Sequence, residues 1–250
     1  MRLEEEVAGN QIWEVTTLRS DGSYGDGRRP DDVQFGTNIE DDLSSRAFTI
    51  NAMALEHPYG RASLIDPFNG REDLLKGILT SVGDPRERIS EDGLRILRAF
   101  RFMDGGDEGV REIDGPLSDA ISSSLEMLDM VSNERICSEL SIILSGNRVN
   151  EIVAKMEDLG VLEHISGSLL RKSGFNLCND LEVNLALLCW EFDGDGSQLR
   201  AVLRQELMLS NSVLDEVSFL HDCRNEMMET GEGYLRRFAA ALPELSLIHI

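Results

Sequence analysis

The stretch from Ser90 to Met103, SEDGLRILRAFRFM, decides how the rest of the chain is read. Its apolar positions recur at helical spacing, which predicts an amphipathic helix. Ser90 suits the N-cap, and Glu91 and Asp92 in the first turn suit the positive end of the helix dipole. At about 100° per residue, Arg95, Arg98 and Arg101 fall within about 80° of Glu91, while Ile96, Leu97, Phe100 and Met103 fall on the opposite side. One side is therefore an arginine row headed by two carboxylates, and the other is core. Glu91 to Arg95 is an i, i+4 pair and Asp92 to Arg95 is i, i+3, so both acids can orient that guanidinium. Three arginines at i, i+3, i+6 can follow a triphosphate, and an oriented Asp/Arg pair offers acceptors and donors to a base edge. A solvated helix face laced with salt bridges fits the same spacing, and spacing alone leaves both readings open.

Around this helix the chain is strongly acidic. Its 250 residues carry 24 Lys+Arg against 46 Asp+Glu, a net charge of −22. On its face that argues against nucleic acid, because phosphate contacts need clustered basic residues. The local count differs: residues 84–103 hold five Arg (86, 88, 95, 98, 101) and four acids (84, 87, 91, 92), whereas 104–134 hold one Arg and nine acids. Only three basic residues are Lys (76, 155, 172); the rest are Arg, the side chain suited to bidentate phosphate and base contacts.

Two textures divide the chain. From about 11 to 83 short β-rich runs (Ile12 to Arg19, Val33 to Phe35, Ala62 to Asp66, Ile78 to Val82) alternate with turns rich in Gly, Pro, Asp or Asn. From about 85 apolar residues recur at helical spacing, as at Leu117, Ile121, Leu125 and Leu128, and again through Ile142, Ile143, Val149, Ile152 and Val153. The pattern predicts an α+β chain: a small α/β piece, a boundary near Gly83-Asp84-Pro85, and an all-helical remainder. No apolar run reaches the roughly 20 residues of a membrane helix. The opening MRLEEEVAGN is acidic where an export signal is basic and then apolar, and Cys137, Cys178, Cys189 and Cys223 show no CxxC spacing. These features predict reduced thiols and a cytoplasmic location.

Three ordered segments carry a family resemblance: DLSSRAFTINAMA (Asp42 to Ala54), DPFNGREDL (Asp66 to Leu74) and RISEDGLRILRAFRF (Arg88 to Phe102). They resemble consecutive motifs of the class II tRNA nucleotidyltransferases (CCA-adding enzymes) and poly(A) polymerases, which add CCA, or A alone, to RNA 3′ ends. VSNERICSEL (Val131 to Leu140) and LGVLEHI (Leu159 to Ile165) are similar to that family's RNA-binding helical part, and Glu14 to Phe35 to its strand and flexible loop (Ser20 to Asp32). The resemblance implies a partial nucleotidyltransferase head with a mixed or antiparallel sheet (1–83), a helical neck carrying the templating helix (84–140) and a helical RNA-binding body (141–250). By the same resemblance Arg46 would contact the nucleotide. Asp92 and Arg95 would read the base edge of CTP or ATP, with Glu91 bracing Arg95, and Arg98 and Arg101 would serve the nucleotide. Asp66, Pro67 and Gly70 would lie in the hinge between head and neck. The implied partners are a tRNA 3′ end, CTP and ATP, with no membrane.

Two departures qualify what the resemblance implies. Where the family has Arg-Arg-Asp, this chain has Ser45-Arg46-Ala47, which puts ribose recognition in doubt. The family's Mg²⁺-binding Asp-x-Asp, on an early strand after a Gly-rich turn, would precede Glu14, and the thirteen residues there contain no Asp-x-Asp. The expectation is an N-terminally truncated chain that lacks the ligands for Mg²⁺ and has no catalytic residues of its own; the closing LSLIHI resembles the end of a gene fragment. Asp193-Gly194-Asp195 opens like a calcium loop, but its twelfth position is Arg204 rather than Glu, so no metal is assigned to it. His221-Asp222 is expected to be a surface pair. Two further readings come from other classes, namely a non-catalytic nucleotide- or RNA-binding module and an acidic helical scaffold. Within the enzyme reading, a bacterial poly(A) polymerase is the alternative to CCA addition.

Overall fold

The structure, a computed structural model, describes residues 3–8, 11–15, 18–21, 33–35, 38–56, 62–172 and 174–224. Residues 22–32 of the expected loop and the closing LSLIHI lie outside these. In the first part, β1 (Leu3–Ala8) pairs antiparallel with β2 (Gln11–Val15), and β3 (Arg19–Asp21) with β4 (Val33–Phe35), Arg19 opposite Phe35. Helix α1 (Ile39–Ser44) starts where the Asn38 side chain accepts the Glu40 N–H at 3.0 Å, and three acids fill its first turn. A 3₁₀ turn (Thr49–Asn51) then leads to the hairpin of β5 (Ala54–Glu56) and β6 (Ser63–Ile65).

Helix α2 (Gly70–Lys76) follows Asn69, which holds a left-handed φ of 59°. Asp66 supplies the missing cap: its Oδ1 accepts the Gly70 N–H at 2.7 Å and its Oδ2 the Arg71 N–H at 3.0 Å. A Cβ on Gly70 would stand 2.0 Å from the Thr49 carbonyl oxygen, so this helix start packs directly on the 3₁₀ turn. Thr49 Oγ1 closes the contact by donating to Asp73 at 2.6 Å. Strand β7 (Ile78–Leu79) pairs in parallel with β8 (Glu112–Ile113), inside the region expected to be all helical. The described residues thus form an α+β fold with mixed strand pairing, as expected.

The helix expected over 90–103 is instead two helices, α3 (Pro85–Glu91) and α4 (Arg95–Met103). Asp84 caps α3 by accepting the Arg86 N–H at 2.8 Å, and Pro85 occupies the first helical position. Ser90 is therefore not an N-cap; its hydroxyl donates back to the Glu87 carbonyl at 2.7 Å. The break falls at Asp92, whose backbone is extended (φ −153°, ψ 105°). Its side chain accepts the Leu94 N–H at 3.1 Å, competing locally with the helical ladder. A Cβ on the adjacent Gly93 would lie 2.1 Å from the Met127 carbonyl oxygen, so the 3₁₀ segment Leu125–Met130 seats on the break.

Beyond α4 come α5 (Gly115–Ser123), α6 (Asn133–Leu144), α7 (Val149–Asp158), α8 (Val161–Ser166), α9 (Leu181–Leu188), α10 (Gly196–Leu207) and α11 (Asn211–Cys223). Helix α6 runs through position 140, where the neck was expected to give way to the body. One core runs from Phe48 and Leu79 through Ile96, Leu97 and Phe100 of α4 to Leu140, Ile152, Leu185, Leu203 and Val217. The apolar side of α4 lies at the centre of that core, and its other side faces the arginine partners. His221 is not on the surface: it is 1% exposed, with Nε2 3.2 Å from the Gly194 carbonyl. Its neighbour Asp222 accepts the Gly196 N–H at 2.6 Å, which ties α11 to the start of α10. Asp195 caps α10 through the Gln198 N–H, an ordinary structural use for the Asp193-Gly194-Asp195 segment.

Candidate functional site

The end of α3, the break and the face of α4 gather the charged residues singled out in the sequence. Glu91 is the pivot, with Oε2 accepting from Arg95 Nη1 at 2.7 Å and from Arg88 Nη1 at 3.0 Å. Both arginines also reach back to the end of α1, where Arg88 Nη2 donates to the Ser44 carbonyl at 2.9 Å and Arg95 Nη2 to the Ser45 carbonyl at 3.4 Å. Arg88 Nε adds a bond to the Val82 carbonyl at 3.0 Å. The i, i+4 pair of Glu91 and Arg95 thus exists as expected, and it clamps the backbone immediately before Arg46. Arg46 itself donates to Asp42 at 2.7 Å, with its side chain 47% exposed against 8% for Asp42. Arg46, Glu91 and Arg95 therefore share one neighbourhood.

The Arg95 side chain is 9% exposed, which no solvated helix face would show. Burying a guanidinium is costly unless it is paired and hydrogen-bonded, and here a carboxylate and a carbonyl satisfy it.

Asp92 does not join Arg95, contrary to the i, i+3 expectation. With the helix broken there, Oδ2 instead accepts from Arg135 Nη2 of α6 at 2.9 Å. Arg98 and Arg101 do not form a free ladder either, because both reach the buried Glu139 of α6. Arg98 Nε donates to Oε1 at 3.2 Å, and Arg101 Nη1 lies 3.1 Å from Oε2. Arg101 also sits over the Phe102 ring, 5.1 Å from its centroid, and Phe102 meets Phe48 edge to face. The family-divergent Ala47 is buried at 9% exposure beneath this region, where its carbonyl accepts the Val82 N–H at 3.2 Å.

Sequence reasoning missed Arg88, Arg135 and Glu139 as parts of this arrangement. The i, i+4 spacing of Arg135 and Glu139 on one face of α6 was the available signal. Cys137, Cys178 and Cys189 are free thiols, and burial pushes the Cys189 thiol up to about 12, which leaves it inert. Among the described residues no three His, Cys, Asp or Glu come together in a way that could hold a metal ion. No described helix is long and apolar enough to cross a membrane.

The described residues define an α+β protein in which a strand-rich part precedes a run of helices. Residues 2–80 match the Poly A polymerase head domain. The CCA-adding enzyme of Geobacillus kaustophilus (strain HTA426) is 35% identical over 216 residues, covering 82% of this chain and 50% of that protein. The CCA-adding enzyme of Geobacillus stearothermophilus is 32% identical over 222 residues, covering 84% and 52%. Among solved structures, the Bacillus stearothermophilus CCA-adding enzyme in complex with CTP superposes with a TM-score of 0.64 at 27% identity, over 86% of this chain and 52% of that one. The Thermotoga maritima CCA-adding enzyme complexed with tRNA-CCA, at 22% identity and a TM-score of 0.56, covers 74% and 48% and shares the fold. The chain belongs to the CCA-adding enzyme and poly(A) polymerase family. It spans about half the length of the curated relatives it matches.

Proposed function

We propose that this chain supplies the base-selecting part of a tRNA nucleotidyltransferase that extends tRNA 3′ ends with C and A from CTP and ATP. The observation that carries the reading is the Glu91–Arg95 pair at 2.7 Å, held against the Ser45 carbonyl at the end of α1, with Asp92 at the break that follows Glu91. An ionised carboxylate only accepts hydrogen bonds and a guanidinium only donates. Cytosine and adenine both present an exocyclic amino donor beside a ring acceptor, whereas uracil and guanine present a carbonyl acceptor in place of that amino group. Asp92 would accept the amino group and Arg95 would donate to the ring nitrogen. That pairing admits C and A and leaves U and G with acceptor facing acceptor. Arg46, half exposed at the end of α1, and Arg98 and Arg101 would meet the phosphates.

Asp66, Pro67 and Gly70 would join head to neck, with the Asp66 cap setting the angle of α2. A bound Mg²⁺ would supply charge neutralisation at a nucleotide phosphate. The described residues offer no cluster that fits the ion, so no step of this account runs through it. Tested alone, the 250-residue chain is expected to bind nucleotide without transferring it. Equilibrium titration with CTP, ATP, GTP and UTP checks the reading. Tighter binding of the first two is expected; equal binding of all four, or CCA addition by this chain with Mg²⁺, would contradict it.

A further inference from the structure

We propose that Phe175, packed against Trp190 and flanked by Arg171 and Lys172, is a platform for an unpaired RNA base, formed by residues that take no part in the nucleotide site. The sequence marks the place: residues 164–179 carry no Asp or Glu, the longest acid-free stretch in a chain with 46 acids. Arg171 and Lys172 fall within it, and both are exposed. Among the described residues no carboxylate pairs with either side chain, whereas the arginines of α4 are already met by Glu91 and Glu139. The Phe175 ring lies 4.6 Å from the Trp190 ring at a tilt of 54°. Phe175 remains 36% exposed and Trp190 is half-buried, so the pair carries an aromatic surface into solvent within a few residues of two free cations.

Both ends of this segment are pinned. The Arg171 N–H donates to the Leu188 carbonyl at the end of α9 at 2.9 Å, and Leu177 exchanges two bonds of 2.8 Å with the Asn150 side chain of α7. Buried Asn184 accepts the Cys178 N–H at 3.0 Å. The aromatic pair is therefore presented on a braced edge, which lowers the ordering cost to a ligand. Bases of any identity stack on aromatic rings, while guanidinium and ammonium groups meet the backbone between them. A duplex keeps its bases stacked inside and offers the ring nothing, so the fit is to a single strand. The cleft of about 560 Å³ beside Arg171 is also lined by Glu191, Asp193 and Glu206, whose charge confines a strand to a short contact rather than a tracking groove.

The test titrates labelled oligo(U), a blunt oligo(A)·oligo(U) duplex and polyglutamate against the wild-type chain and its variants, with and without CTP. The expected result is that oligo(U) binds more tightly than the duplex and is not displaced by CTP. Loss of one stacked base corresponds to about tenfold in affinity. Phe175→Ala is therefore expected to weaken oligo(U) about tenfold and to leave CTP affinity unchanged, while Phe175→Tyr binds as wild type. Arg171→Ala and Lys172→Ala should each lower the salt slope of oligo(U) binding by about 0.7. Wild-type oligo(U) affinity in Phe175→Ala, equal binding of the duplex, or displacement by CTP overturns the inference. A matching loss of polyglutamate binding in Phe175→Ala assigns the surface to an acidic protein segment and overturns it too. If Phe175→Ala does not fold, Phe175→Leu decides, because it keeps apolar bulk and removes the ring: binding lost there and kept in Phe175→Tyr supports the platform, and binding kept in both overturns it.

Discussion

At the scale of single residues, the site depends on a glycine that lets two pieces of backbone meet. A Cβ on Gly93 would stand 2.1 Å from the Met127 carbonyl oxygen, far inside contact distance. Gly93→Ala is expected to cost about 1–3 kcal/mol, the usual penalty for forcing extra atoms into a packed site. Urea denaturation measures that cost, and an unchanged midpoint would show that the Leu125–Met130 segment does not seat on the break. The Glu91–Arg95 pair was legible in the sequence because an i, i+4 relation survives even where the helix between its members is interrupted. The partner of Asp92 was not legible. Its direction depends on a break signalled only by the Asp-Gly dipeptide, and Arg135 arrives from 43 residues away. Periodicity describes one element at a time and says nothing about which distant element will dock on it.

At the scale of elements, α3 is where the helical run begins, and its start is set by Asp84 and Pro85. Asp84→Ala removes the acceptor for the Arg86 and Glu87 N–H groups and is expected to destabilise the protein by about 1 kcal/mol. A lowered melting temperature checks this, and an unchanged one would place the helix start elsewhere. Turn residues marked this boundary in the sequence, yet Ser90 competed as a cap because a Ser followed by two acids looks the same in mid-helix as at a helix start. The short strand Val33–Phe35 was read with its bounds intact, because β-branched and aromatic residues between turn signals leave little alternative. Strand β8 spans two residues, too short for alternation to show, and it exists because β7 offers it a partner. The run Leu117 to Leu128, read as one period, spans α5 and a 3₁₀ segment, with Leu117, Ile121 and Leu128 all buried.

At the scale of the whole molecule, the charge of −22 is spread over strand-rich and helical parts alike, and the arginines of α4 are already met by Glu91 and Glu139. Binding of tRNA by this chain is therefore expected to be weak and to fall steeply as salt rises. A salt titration of tRNA binding checks this, and salt-independent tight binding would contradict it. Stability should also respond to pH through His221, because burial, together with the nearby Arg224, holds this imidazole below its ordinary value of 6.5. The unfolded chain binds the proton more readily, so stability is lost as pH falls below about 6.5 toward the folded value. His221→Phe should flatten that part of the wild-type pH–stability curve, and an unchanged slope would contradict the assignment.

The central claim is that Asp92 and Arg95 choose the base, and the most direct measurement is the ratio of CTP to UTP affinity for the wild-type chain and for Asp92→Ala. The account predicts a wild-type preference for CTP of about tenfold or more that Asp92→Ala brings close to one, whereas an equal preference in both proteins would contradict it.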